Sequence, residues 1–304
     1  LNPDVVIMDV IMPRMDELEA LNRLMKVHPV TVIMLSSLTK EGADETIQAL
    51  TLGAIDFHTK PSAKANIAQV VGEMEPKIRQ AAAVERELLR TPEDSWGEPG
   101  IPQVELPQRL ERPKMVVVIG SSTGGPKALS ALIPLLPREL EAAYLAVQHM
   151  PAGFTKPLAE RLDQLSPVGV KEAEHGDPLL AGQVLIAPGG YHLELQNRHR
   201  VALNTDEKIC GVRPAVNATM VSAVKHFGQA VLGVVLTGMG KDGRDGALAI
   251  RREGGGVIAE DRSTCVVWGM PRSVVEAEAA DYVVPLPGIA DQIITEVKQG
   301  VGKA

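Results

Sequence analysis

The chain has 304 residues, 45% of them hydrophobic and 23% charged, with a formal net charge of -7. This is a globular composition with room for two cores; no apolar run approaches a membrane span and no signal segment opens the chain, so a cytoplasmic protein without membrane insertion is expected. The acidic balance argues against a nucleic-acid partner, whose phosphates demand clustered positive charge. Cys210 and Cys265 are too few for a disulfide framework or a zinc site, and read as two buried thiols.

Val5-Val6-Ile7-Met8 is a strand-like run, and Leu18, Leu21, Leu24 and Met25 follow at helical spacing. The unit repeats with an apolar strand from Thr31 to Leu35, a helix lined by Ile47, Leu50 and Ala54, and Ile55-Asp56-Phe57 leading to Lys60-Pro61. Alternation of this kind predicts a parallel sheet with crossover helices. A helix is expected from Asn66 to Arg90, with Ile67, Val70, Val71, Met74 and Ile78 on one side and a kink at Pro76. Five prolines between Thr91 and Lys114 mark a linker, in which Trp96 could anchor the domain interface or stand exposed.

A second series starts at Met115. Its candidate strands are Met115 to Ile119, Tyr144 to Gln148, Val184 to Ala187, Ala230 to Leu236, Val257 to Ala259 and Tyr282 to Pro285, and a last helix carries Ile289, Ile293 and Val297 as a stripe.

Reactive side chains follow several strands, and ligands of open α/β sheets bind at the carboxyl ends of strands. In the first series Asp9, Ser36 and Lys60 end three successive strands. An acid can accept a phosphoryl group whose oxygens a hydroxyl and an ammonium then engage. This resembles the response-regulator receiver domain, with Asp9 as phosphoacceptor and Ser36 and Lys60 as phosphoryl-binding residues. The resemblance implies magnesium for phosphorylation, held in part by Asp9, and a histidine kinase as phosphodonor. Two departures stand out. The chain begins at Leu1 and reads as a fragment, lacking the family's first strand and the acidic pair after it; and Glu17 stands where the family places glycine.

In the second series Gly120-Ser121-Ser122-Thr123-Gly124 fits the G-x-S-x-G pattern of a nucleophile elbow, although a glycine-rich turn after a strand equally suits a phosphate on a helix N-terminus. Company shifts the balance: His149 also ends a strand, and Asp242 follows another within a glycine-rich loop. An alcohol is a poor nucleophile at neutral pH, so Ser122 would need His149 as base and Asp242 to orient it, with backbone N–H groups near Ser122 and Met239 as oxyanion donors. The order Ser, His, Asp differs from that of α/β-hydrolases. His28, His58, His175, His192, His199 and His226 lack metal-ligand spacing and read as surface or loop residues.

Gly120 to Gly125, Gln148-His149-Met150-Pro151, Ile186-Ala187-Pro188-Gly189, Leu236-Thr237-Gly238-Met239-Gly240-Lys241-Asp242-Gly243 and Trp268-Gly269-Met270-Pro271 together resemble the chemotaxis protein-glutamate methylesterases, the CheB family. The resemblance implies an α/β protein of two doubly wound parallel-sheet domains, a truncated flavodoxin-like receiver and a Rossmann-like methylesterase domain. Its expected parts are the receiver over residues 1–65, its last helix and a linker over 66–114, and the catalytic domain over 115–304. It further implies a phosphorylation-regulated serine hydrolase that removes methyl groups from γ-glutamyl esters of chemoreceptor helices and deamidates receptor glutamines. Ser122, His149 and Asp242 are the catalytic residues so implied; Thr123 and Met239 border the site, and no cofactor serves catalysis. Val212-Arg213-Pro214-Ala215-Val216-Asn217 departs from the family's usual His-Arg-Pro-Ser-Val-Asp, and Arg213 either holds that loop or meets the acidic receptor surface. The alternatives are a non-catalytic response regulator whose second domain binds a phosphate or nucleotide, and a general small-ester hydrolase.

Overall fold

The computed structural model describes residues 3–10, 17–37, 39–60, 67–89 and 112–301. The turn from Met12 to Asp16, Pro61, and the linker with Trp96 and four of its prolines lie outside the described residues, as do the side chains of Ile67 and Val70. The chain divides into two compact units, Leu1–Ser95 and Trp96–Ala304.

The first unit runs β1 (Val5–Asp9), α1 (Glu17–Val27), β2 (Thr31–Ser36), α2 (Lys40–Leu52), β3 (Asp56–Thr59) and α3 (Ile67–Ala82), then a short 3-10 turn, Arg86–Leu89. The strands form one parallel sheet in the order β1-β2-β3. Leu21 and Met25, four apart, bury on one face of α1, and Ile47 and Leu50 on α2. Thr39 caps α2 by accepting from the Gly42 N–H. Two expectations change here. Ala54 lies beyond the C-cap glycine rather than on the α2 face, and Val71 is exposed, so the apolar side of α3 is narrower than its spacing suggests. Pro76 lies inside α3.

The second unit is built on β4 (Met115–Ser121), α4 (Gly125–Leu132), β5 (Ala142–Gln148), α5 (Thr155–Leu165), β6 (Gly169–Glu172), β7 (Gln183–Ile186), β8 (His192–Asn197), β9 (Arg200–Asn204), α6 (Val216–Phe227), β10 (Val231–Val235), α7 (Arg244–Arg252), β11 (Gly256–Glu260), α8 (Met270–Glu276), β12 (Tyr282–Val284) and α9 (Leu286–Val301). Seven strands make a sheet in the order β12-β11-β10-β4-β5-β7-β6, every adjacent pair parallel. β4, β5 and β10 are buried along their whole length, as strands covered on both faces must be. Helix α4 packs against α5 and α9, and α7 against α6 and α8, giving two helical layers around the sheet. Ile289, Ile293 and Val297 seat α9.

The chain leaves β4 towards β5 on one side and later returns to β10 on the other. That reversal puts a crevice at the carboxyl ends of the central strands. Three strands escaped the sequence reading: β6, and the antiparallel hairpin of β8 and β9. Leu193 and Leu195 do alternate with Glu194 and Gln196, but the two central turn positions are Arg198 and His199, with asparagine only just before them at Asn197.

Candidate active site

Register explains how distant residues meet. Ser121 pairs with Gln148 across β4 and β5, so Ser122 and His149 each stand one residue past the paired ends of neighbouring strands. β10 pairs with β4 on the other side, Val235 opposite Gly120, and its following loop brings Asp242 to the same edge.

His149 Nε2 lies 2.8 Å from Asp242 Oδ2, with the two side chains 9% and 2% exposed. A carboxylate only accepts, so Nε2 is the protonated nitrogen and Nδ1 keeps its lone pair for a serine proton. The assignment is the reverse of the usual triad template, in which Nδ1 faces the acid.

Asp242 is held by more than the histidine. Its Oδ2 accepts from the Val216 N–H at 2.6 Å, and its Oδ1 from the N–H groups of Asn217 and Gly243, both at 3.0 Å. Val216 and Asn217 open α6, whose N-cap residue Ala215 offers no side-chain acceptor. The carboxylate therefore caps α6 from outside and gains the favourable end of its dipole. Asn217 returns the arrangement: its Oδ1 accepts from Gly243 and Gly246 at the start of α7, at 3.0 and 2.8 Å. In the altered Val212 to Asn217 segment, then, asparagine serves as a cap. Val216 fills the space beside Gly120, where a Cβ would come within 2.5 Å of it.

The serine turn is bound on three sides. Ser121, fully buried, donates from Oγ to Gln148 Oε1 at 2.7 Å, and Gln148 Nε2 donates to the carbonyls of Ser122 and His149 at 3.0 and 3.1 Å. Ser122 N–H donates to Thr237 O at 3.0 Å, and the Thr237 hydroxyl donates to Thr123 O at 3.0 Å. Gly238 approaches so closely that a Cβ there would lie 2.7 Å from Ser122 Cβ. Among the described residues the left-handed position of this turn is Gly124, φ 78°, and not the serine, so it departs from the strained elbow that G-x-S-x-G suggests.

Half-buried Ser122 has no hydrogen-bond partner at Oγ among the described residues, as suits a nucleophile whose bond to its base tightens on substrate binding. Its own N–H is engaged by Thr237 and is removed from the candidate oxyanion donors. Met239, 40% exposed, has an N–H without an acceptor among the described residues. Arg213 Nη1 donates to the carbonyls of Thr205 and Asp206 at 2.6 and 2.7 Å, holding that loop.

Three expectations about single residues are corrected. Cys265 is buried but Cys210 is exposed, at φ 53° in a tight turn between Ile209 and Val212. His58 and His192 are buried in strands rather than in loops. Gln148, Thr237 and Asn217 shape the site although residue type alone did not single them out; the signal was their place beside the reactive residues at strand ends and a helix start.

In the first unit, Lys60 Nζ meets both oxygens of Asp9, at 2.6 and 2.8 Å. Ser36 Oγ turns the other way, donating to Gly42 O at 3.0 Å and accepting from Thr46 Oγ1 at 2.6 Å on α2. Among the described residues no three His, Cys, Asp or Glu side chains converge on a metal position. A magnesium site normally needs several carboxylates and waters, so these residues do not fit that ion. Nor is any helix of the described residues long and apolar enough to cross a membrane.

Fold and site together define a two-unit α/β protein: a small parallel sheet with an acid and a lysine joined at its strand ends, and a doubly wound unit with a serine, a histidine and an acid gathered at its switch point. Residues 117–293 match the family described as CheB methylesterase, and residues 1–72 the response regulator receiver domain. The chain is 47% identical to a protein-glutamate methylesterase/protein-glutamine glutaminase of Symbiobacterium thermophilum, over 99% of this chain and 86% of that one. It is 44% identical to the protein of that name from Pyrococcus horikoshii, over 97% and 81% of the two lengths. The crystal structure of the Thermotoga maritima CheB methylesterase catalytic domain superimposes with a TM-score of 0.58 at 50% identity, covering 60% of this chain and 97% of that domain. The chain belongs to the CheB methylesterase family.

Proposed function

We propose that this protein is a protein-glutamate methylesterase and protein-glutamine glutaminase acting on chemoreceptor helices, with Ser122 as nucleophile, His149 as general base and Asp242 as its orienting acid. The observation that carries the reading is the 2.8 Å bond from His149 Nε2 to an acid fixed by three backbone N–H groups, at the strand end beside Ser122. Ser122 Oγ attacks the γ-carbonyl carbon of the ester while His149 Nδ1 takes its proton. The oxyanion forms against the Met239 segment, where one donor is typically worth about 3 kcal/mol of barrier. Methanol, or ammonia from a glutamine, departs with the proton from His149; water then attacks the acyl-serine with the same base, releasing glutamate and the free hydroxyl. Thr123 borders the reaction, while Arg213 acts by holding the 205–206 loop.

Asp9 is the phosphoacceptor in this reading, with a chemotaxis histidine kinase as donor in the cytoplasm. A phosphoryl group there would take the Lys60 ammonium, and Ser36 would have to leave Thr46 to reach it. The described residues do not assemble a magnesium site, so no step is assigned to the metal. Methanol release from methylated receptor membranes tests the function: turnover should vanish in Ser122→Ala with the fold unchanged, and substantial turnover in that variant removes the serine from its role.

A further inference from the structure

Glu260, the last residue of β11, is fully buried, and no part of the reaction uses it. Its Oε2 accepts from the Thr237 N–H at 2.7 Å, and its Oε1 from the Thr264 hydroxyl at 2.9 Å. The Thr264 hydroxyl is itself fixed, accepting from the Leu286 N–H at 3.0 Å. Thr237 in turn touches the serine turn twice, through its carbonyl to Ser122 N–H and through its hydroxyl to Thr123 O, both at 3.0 Å. The Thr237 hydroxyl also accepts from the Val267 N–H at 3.0 Å. Thr237 begins the loop that presents Met239 and Asp242. A single carboxylate thus fixes the residue from which both the nucleophile turn and the loop carrying its partner acid are hung.

Such a group is costly. Burial pushes its carboxyl up to about 7, against the opposing pull of the bonds from Thr237, Thr264 and the Cys265 thiol; neighbouring Asp261 pushes the same way as burial. An apolar residue would fill the space without that cost but would leave the Thr237 N–H without an acceptor.

We propose that Glu260 is a positioning residue of the hydrolytic site, working by reach: through Thr237 it sets the serine turn and the Met239–Asp242 loop against His149. The inference rests on the triad reading above and names a residue beyond it. Reach and charge can be separated. Glu260→Gln keeps an oxygen at the same distance for Thr237, while its amide can donate to Thr264. Glu260→Asp keeps the carboxylate but withdraws it by one methylene.

With methylated receptor as substrate, Glu260→Gln should hold kcat within about threefold of the parent. Glu260→Asp should lower kcat at least tenfold with KM within twofold, circular dichroism confirming the fold in each case. Wild-type kcat in Glu260→Asp overturns the proposal, and so does a loss in Glu260→Gln as deep as that in Glu260→Asp. Should Glu260→Asp not fold, Thr264→Val releases the other oxygen: a fall in kcat at unchanged KM supports the proposal and an unchanged kcat overturns it. Labelling of the parent protein at Ser122 by a fluorophosphonate keeps the two readings apart. Its absence fails the serine mechanism, whereas its presence with an unaffected Glu260→Asp fails this inference alone.

Discussion

Asp242 carries two duties that are usually separate. It orients His149, and it supplies the acceptor that α6 lacks at its own N-cap. Asp242→Ala should therefore lower turnover by about three to four orders of magnitude and also stability by about 1–2 kcal/mol, the usual worth of a lost cap. His149→Ala should match the first loss with much less of the second; comparing methanol release with thermal melts of the two variants checks this. Glu260 makes a different prediction, about pH. Its carboxyl is raised in the fold from 4.5 to about 7, so the folded state binds the proton more tightly than the unfolded chain. The resulting stability is fully present below pH 4.5 and is lost as pH rises through about 7. Each tenfold change in proton affinity is worth about 1.4 kcal/mol, so that loss comes to about 3 kcal/mol. Glu260→Gln has no such loss, so its melting temperature should gain on the parent's by several degrees between pH 4.5 and pH 8, and parallel curves would refute the buried-charge account.

Among the elements, the reciprocal capping of α6 and α7 ties the acid loop to the helix layer. Asn217→Ala strips the Gly246 N–H of its acceptor and leaves the Gly243 N–H with Asp242 Oδ1 alone, and should cost about 1–2 kcal/mol in denaturant unfolding while lowering turnover through Asp242. Gly120 belongs to the same contact: Gly120→Ala drives a methyl to within 2.5 Å of Val216 and should destabilise by about 1–3 kcal/mol. Elements differed in how plainly their residues announced them. β4, β5 and β10 are near-continuous apolar runs because helices cover both faces, and such runs read as strands without ambiguity. The β8–β9 hairpin is only half apolar and turns on arginine and histidine, so little beyond Asn197, whose Oδ1 accepts from the His199 N–H at 2.8 Å, marks it locally. Val71 shows the opposite failure: it has helical spacing but is exposed.

At the scale of the whole molecule, a receiver unit precedes a hydrolytic unit in one chain. We propose that the unphosphorylated receiver restrains the esterase, phosphate on Asp9 shifting the balance towards the active state by its different stability in the two. Deleting residues 1–113 should raise basal methanol release. A fall instead would favour activation by contact over restraint.

Residue types and their spacing were enough to announce parallel α/β units and reactive groups at strand ends, because strand periodicity and the chemistry of a serine, a histidine and an acid are local properties; the family entered through the resemblance of the motifs around those groups. They could not announce that Asp242 caps a helix begun 26 residues earlier, that Thr237 engages the N–H of Ser122, or that a glutamate on β11 holds Thr237 in place. Those bonds join segments far apart along the chain. Backbone groups at helix starts and strand ends must find acceptors when buried, and which side chain answers is settled by packing rather than by sequence neighbours.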